Sequence, residues 1–286
     1  MTGPRVLAEL VRAPAALTVL GDTLTGAAAA GRGHGLRAVR LAAASTCLYW
    51  AGMALNDYAD RHVDAEERPD RPIPSGRVSP GTALATASVL TGAGLALAAG
   101  RRTLPIAVPL AAAVWAYDLK LKNTPFGPAA MATTRGLDVL MGAGTSRWRG
   151  AAPSAAVIAC HTYTVTLVSR QETYGATASL PAGALAATTA LSLGAAGLCP
   201  PVVDPARRAT STALLGGYLL AAGAAQLAAI VRPDAAHLRR AVGAGIHAMI
   251  PLQAALIART GRLRAALPLL AAYPLARRLA RKVSPT

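Results

Sequence analysis

The chain has 286 residues, of which 53% are hydrophobic and only 15% charged, with a mean hydropathy of +0.39. Soluble domains carry roughly 25% charged residues, so the shortfall points away from a water-soluble fold. The formal net charge is +16. The basic residues, nearly all Arg, lie at the ends of apolar stretches rather than on one patch, which excludes a nucleic-acid surface and fits contact with lipid headgroups.

In chain order, the apolar stretches predict transmembrane helices at 14–31, 38–56, 82–99, 103–117, 126–145, 151–169, 177–198, 211–231 and 241–258. A tenth, shorter one at 265–276 holds Pro268 and Pro274. Each of the nine is close to the roughly 20 residues needed to cross the hydrocarbon layer, with some latitude for local thinning. Segments such as 82–99 and 177–198 have no charged face, as an amphipathic soluble helix would. The expected architecture is therefore an all-α membrane protein, a bundle of about nine transmembrane helices around a central cavity, forming one domain over 1–286. The first stretch follows Arg5 and Arg12 and ends in small residues, like a signal peptide. Further spans follow at once, so an uncleaved first helix is expected.

Lys and Arg divide equally between the two sets of loops and do not orient the bundle by the positive-inside rule. Acidic residues divide unequally, since six of the 13 lie between Asp57 and Asp70. Cys47, Cys160 and Cys199 are too far apart for a metal motif or a disulfide framework. They read as small buried apolar residues. His161 and His247 fall inside spans and read as hydrogen-bonded interior histidines, with an acceptor-side base as the sharper alternative. Arg135 and Asp138, three residues apart within 126–145, read as a buried ion pair or a cavity wall.

The chemistry concentrates in Asn56-Asp57-Tyr58-Ala59-Asp60-Arg61-His62-Val63-Asp64. Asn56, Asp60 and Asp64 recur every four residues and share one helix face, with Asp57 within a turn of Asp60. Carboxylates so close repel one another unless a cation intervenes. Mg²⁺ prefers oxygen ligands, keeps waters and bridges carboxylates to substrate phosphates. A rigid, Pro-rich segment follows, with Arg68, Arg71 and Arg77 available to fork onto phosphate oxygens. The pattern predicts a Mg²⁺–diphosphate clamp.

The stretch NDYADRHVDAEERPDRPIPSGRVSP closely resembles the first signature of the UbiA superfamily of intramembrane prenyltransferases. Asn56, Asp57, Asp60, Asp64, Arg68, Arg71, Pro72, Pro74 and Gly76 carry the match. A second family feature, Tyr-x-x-x-x-Lys, reads Tyr117 to Lys122, and implies that Lys122 helps hold the diphosphate, while Lys120 is an ordinary interface lysine. The second Asp-rich motif of the family is reduced here to Arg170 and Glu172 in Ser169–Gly175. The resemblance is to a divergent bacterial branch and implies a multi-pass protein of the cytoplasmic membrane. It implies transfer of a prenyl group from a polyprenyl diphosphate to an unidentified acceptor. Metal ligands would be Asp57, Asp60, Asp64 and Glu172, with Asp57, Asp60 and Lys122 catalytic. The diphosphate would lie against Asn56, Arg68, Arg71, Lys122 and Arg170. Tyr58, Tyr117, Tyr163 and Tyr174 are candidates to face a carbocation. The reduced second motif leaves an alternative, a non-catalytic polyprenyl-diphosphate binder or lipid transport protein.

Overall fold

A computed structural model of the chain describes residues 3–32, 35–198 and 204–283, and these are helical, with no strand among the described residues. The helices are α1 (Pro4–Leu10), α2 (Leu20–Ala29), α3 (Leu36–Ala59), α4 (Arg61–Glu67), α5 (Pro80–Leu97), α6 (Leu104–Ala116) and α7 (Gly127–Ala143). They continue with α8 (Trp148–Ser169), α9 (Ser179–Gly197), α10 (Pro205–Val231), α11 (Ala235–Ala258) and α12 (Leu263–Val283). A 3₁₀ segment, Ala13–Thr18, precedes α2, and a π turn, Tyr117–Leu121, prolongs α6.

Seven of these helices are long and apolar enough to cross a membrane: α3, α5, α6 with its π turn, α8, α9, α10 and α11. The chain is a multi-pass integral membrane protein. The predicted first span, 14–31, is instead a 3₁₀ segment followed by the ten-residue α2. Just before it, Arg12 is held at φ 47°, a left-handed conformation costly for a residue with a Cβ. The predicted 126–145 is α7, 17 residues long and interrupted by Arg135 and Asp138. The span expected to end at residue 117 runs on through the π turn to Leu121, and the short tenth segment is a 21-residue helix.

Local chemistry explains where the helices begin. Ser79 accepts from the Thr82 amide ahead of Pro80, and Asp204 accepts from the Ala206 amide ahead of Pro205. Asp234 accepts from the His237 amide to open α11. Each satisfies a donor that a helix start leaves without a partner. Asp234, outside the membrane, is held below its ordinary pKa chiefly by that amide.

α11 is the central helix, with one unbroken run from Ala248 to Ala258 buried. It packs against α10, α12, α8 and α2. α5 and α9 lie at the edge and keep most of their surface outward. α2 and α7 touch backbone to backbone. A Cβ on Gly26 would overlap the carbonyl of Val139, and one on Gly142 would overlap the backbone of Thr23. Small residues at such crossings replace the hydrophobic drive that lipid surroundings remove. Cys47 and Cys160 are free thiols. Cys160 is exposed on α8 rather than buried, because it faces away from the bundle, and Cys199 lies outside the described residues.

Gly142→Leu forces α2 and α7 apart, against backbone that cannot rotate aside. The expected cost exceeds the ~3 kcal/mol of ordinary overpacking. Size-exclusion profiles in detergent should show loss of the monodisperse species, whereas Gly183→Leu, on a glycine with open space around it, should leave the profile unchanged.

Candidate active site at one end of the bundle

The acidic run spans the end of α3, the Asp60 turn and α4. Its residues do not all point one way. Asp57 and Asp64 are buried, at 3% and 2% exposed, and both meet Arg71. The same Arg71 Nη1 donates to Asp57 Oδ1 at 3.3 Å and to Asp64 Oδ2 at 2.6 Å. Asp57 Oδ1 also accepts from Arg12 Nη2 at 2.9 Å, and Arg68 approaches Asp64 Oδ1 at 4.0 Å. Asp60 faces a different partner, Lys122 Nζ, at 2.5 Å. Asn56 Nδ2 donates to Asp118 Oδ1 at 3.3 Å.

Backbone geometry makes these meetings possible. In the π turn the Lys122 amide reaches back five residues to the Tyr117 carbonyl at 2.9 Å. The wider turn brings Asp118 inward to Asn56 and Lys122 to Asp60, and such single π turns cluster at functional sites. Lys120, by contrast, points to the exposed surface, as expected for an interface lysine. Arg170 Nη1 donates to the carbonyls of Thr124, at 2.6 Å, and Lys122, at 3.1 Å. It thereby fixes the loop after the π turn rather than standing free. Gly127 permits this, since a Cβ there would crowd the Lys122 carbonyl at 2.5 Å and Arg170 Nη1 at 3.1 Å.

A cavity of about 440 Å³ opens at this end and runs into the bundle. Asn56, Tyr117, Asp118, Ser169, Glu172 and Arg12 line its polar mouth. Glu172 lies outside the spans, and burial pushes its carboxyl above the ordinary value against the opposing pull of Arg68 and Arg239. Arg239 also donates to the Glu172 carbonyl at 3.3 Å. The remnant of the second motif therefore faces the same cavity as the first, surrounded by cations rather than by further acids.

Among the described residues, no three of His, Cys, Asp and Glu gather into a metal-ligating group. Asp57 and Asp64 nevertheless flank one position of positive charge, now filled by Arg71, with only oxygens as donors. That donor set fits Mg²⁺ held by two carboxylates with water and phosphate completing its shell.

Arg135 and Asp138 both line the cavity, but they are not partners. Arg135 Nε pairs with Asp22 Oδ2 at 2.9 Å, and Asp138 Oδ2 accepts from Ser45 Oγ at 2.5 Å. Sequence reading passes over Asp22 and Arg12. The available signals were an acid alone inside an apolar stretch and an Arg directly ahead of an Ala-Pro break. Of the four tyrosines expected near a cation, only Tyr117 lines the cavity. Tyr58 stacks beneath Arg61 at 4.7 Å, while Tyr163 and Tyr174 are exposed. Tyr49 lines the cavity instead. His161 is a held interior histidine. Its Nε2 donates to the Gly245 carbonyl at 3.0 Å, leaving Nδ1 to accept from the Tyr218 hydroxyl at 2.9 Å. His247 Nδ1 similarly meets the Gly243 carbonyl at 2.7 Å.

A family model described as the UbiA prenyltransferase family matches residues 19–242. The chain belongs to the UbiA prenyltransferase family. The digeranylgeranylglyceryl phosphate synthase of Methanopyrus kandleri is 47% identical over 76 residues, covering 26% of this chain and 28% of that protein. Matches of this kind span between 28% and 52% of the length of the curated relatives. The apo structure of a UbiA homolog from Aeropyrum pernix K1 superposes with a TM-score of 0.65 at 22% identity, covering 85% of this chain and 96% of that one. A UbiA homolog from Archaeoglobus fulgidus bound to GPP and Mg2+ gives 0.63 at 16% identity, over 90% and 99%. At these identities the likeness is one of fold.

Arg71→Met strands two buried carboxylates beside each other, which should cost about 3–5 kcal/mol, as breaking a buried pair does. Melting in detergent should fall sharply and recover in part on addition of MgCl₂. A variant that melts low and gains nothing from MgCl₂ beyond the parent's gain would show that Asp57 and Asp64 do not share a metal.

Proposed function

We propose that this chain is a Mg²⁺-dependent prenyltransferase of a bacterial cytoplasmic membrane, moving a prenyl group from a polyprenyl diphosphate to a small-molecule or lipid acceptor. The observation that carries the reading is the set of cation-paired carboxylates, buried Asp57 and Asp64 and half-buried Asp60, beside the mouth of a cavity that continues into the bundle. Surface loops do not bury their acids; a site that handles a polyanion with a metal does.

Asp57, Asp60 and Asp64 would hold Mg²⁺, with Asn56, Asp118 and Glu172 the nearest further oxygens at the cavity mouth. When bound, the metal would neutralise charge that develops on the departing diphosphate. The chain's own cations do the same from fixed positions. Lys122, now on Asp60, exchanges a carboxylate oxygen for a phosphate oxygen as the donor arrives. Arg71 and Arg68 lie on the acidic run and turn their forks to the remaining oxygens. Arg170 holds the 122–124 backbone, so Lys122 keeps its position as charge moves. Such preplaced groups need no reorganisation while the allylic C–O bond breaks. Below them Gly52, Met53 and Val114 line the cavity. They exclude the water that would otherwise capture the carbocation in place of the acceptor.

Purified protein supplied with labelled prenyl diphosphate should release diphosphate only when MgCl₂ is present. Asp60→Asn and Lys122→Ala should each lower the rate by about 10²–10³, the loss typical for one charge-stabilising group. Donor that binds with Mg²⁺ but never turns over with any acceptor would instead identify a binder or carrier.

A further inference from the structure

The end of the bundle away from the acidic run has the opposite charge balance. It gathers the end of α2, the start of α3 and the connections between α5 and α6 and between α7 and α8. Arg37 and Asn56 stand at opposite ends of α3, about 28 Å apart along its axis at 1.5 Å per residue. Asp204 is the only acid at this end among the described residues, and its partner is Arg207 at 3.8 Å.

Five guanidinium groups converge there. Arg37 has Arg32, Arg40 and Arg102 as charged neighbours, and Arg32 has Arg102 and Arg147. None of the five forms an ion pair among the described residues. They do not splay outward as separate surface arginines would. Arg32 Nη2 donates to Ser146 Oγ at 3.0 Å, Arg147 Nη1 to the Ala30 carbonyl at 2.9 Å and Arg40 Nη2 to the Ala99 carbonyl at 3.4 Å. Two left-handed glycines make room for this. A Cβ on Gly144 (φ 73°) would lie 3.1 Å from Arg37 Nη2, and one on Gly31 (φ 69°) would lie 3.2 Å from Arg147 Nη1. Charges of one sign held this close repel. Burial first, then Arg147 and Arg102, push the Arg32 guanidinium below its ordinary pKa. With no acid beside it, such a cluster is best offset by an anion from outside the chain.

The surroundings indicate which anion. Leu36 and Val39, 85% and 66% exposed, alternate with Arg37 and Arg40 in the first turns of α3. Trp148, 45% exposed, follows Arg147, and Arg149 lies 5.7 Å from its ring. Cations beside bare apolar side chains and an exposed Trp are the pattern of headgroup depth. A free phosphate would use the cations and leave Leu36 and Val39 uncovered, whereas a phospholipid covers both. Guanidinium forks match phosphate oxygens. We propose that Arg32, Arg37, Arg40, Arg102 and Arg147 form a site for the phosphate headgroup of an anionic phospholipid, whose acyl chains lie along Leu36 and Val39. The site stands apart from the cavity and does not depend on the prenyl-diphosphate reading.

The test is titration of the detergent-purified chain with phosphatidylglycerol, cardiolipin, phosphatidylcholine or sodium phosphate, with bound molecules counted by native mass spectrometry. Phosphatidylglycerol and cardiolipin should be retained, phosphatidylcholine should bind at least tenfold more weakly, and sodium phosphate should not displace the anionic lipids. Arg37→Gln combined with Arg102→Gln should weaken phosphatidylglycerol by about tenfold or more, several-fold for each cation removed from the surface. Arg264→Gln, at the same end but outside the cluster, should leave binding unchanged. Without lipid the double variant should melt no lower than the parent, because it relieves repulsion; a merely structural role would lower its melting. Arg40→Gln, on an exposed side chain, should lose several-fold alone and covers the case in which the double variant does not fold. Equal binding of phosphatidylcholine, or variants that keep the parent's affinity, would overturn the proposal. Sodium phosphate that takes the site as readily as lipid would overturn it too, by showing a free-anion site.

Discussion

The arrangement of this bundle follows from the cost of charge in a low-dielectric slab. Ten of the 13 acids lie at one end, and the exceptions are Asp22 and Asp138 inside the bundle and Asp204 at the other end. At the crowded end Asp57, Asp60 and Asp64 are each matched to a cation held by a different element, while buried Asp118 takes the Asn56 amide. Arg71 bridges Asp57 and Asp64, Arg12 closes on Asp57, and Lys122 closes on Asp60. These pairs tie the N-terminal segment, the end of α3, α4 and the end of α6 into one unit. Isolated buried pairs often add little net stability against an apolar alternative. On the proposed reading they hold ready a set of oxygens and cations whose partners would be exchanged for a metal and a diphosphate.

Exchange of that kind demands placement, and the backbone supplies it in small departures from regular helix. The π turn at Tyr117–Leu121 widens the end of α6, where Asp118 and Lys122, four residues apart on one face, meet Asn56 and Asp60. Arg12 accepts a left-handed backbone and in return reaches Asp57. Strain tolerated beside a charged cluster is a mark of sites whose surroundings overdetermine them. Gly127 and the paired Gly26 and Gly142 allow the close approaches that position Arg170 and α7. None of these features raises stability in itself, yet each fixes the direction of a functional side chain.

The legible part of the sequence is the part governed by local pattern. Seven long apolar helices were evident from length alone, because lipid offers no alternative to internal hydrogen bonding. The acidic run was evident from its four-residue spacing, whereas Lys122 was singled out over Lys120 only through the resemblance to the family's Tyr-x-x-x-x-Lys feature. What sequence could not show depends on contacts between distant segments. Arg135 stands three residues from Asp138, the spacing of a helix pair, but Asp22 on α2 competes for it across the Gly26–Gly142 crossing. Tyr58 follows Asp57 directly, yet Arg61 draws its ring away from the cavity. The first span read as one helix because its composition is apolar apart from Asp22, and the 3₁₀ segment shows only in three dimensions.

The same logic accounts for the reduced second motif. Glu172 is alone, but it is not isolated, because Arg68 from the first motif's loop and Arg239 from α11 both bear on it. A site that binds a polyanion can gather positive charge either by fixing a second metal with several acids or by presenting guanidinium groups directly. Here a single acid, Glu172, stands with guanidinium groups around it. On the proposed reading such a mouth would offer a diphosphate fewer metal ligands and more guanidinium groups. It also keeps its excess acid elsewhere, at the inner end of the cavity, where Asp22 and Asp138 outnumber Arg135. The cavity thus has a polar mouth, an apolar middle and a polar inner end, and on the proposed reading a donor would enter it with the diphosphate at the mouth.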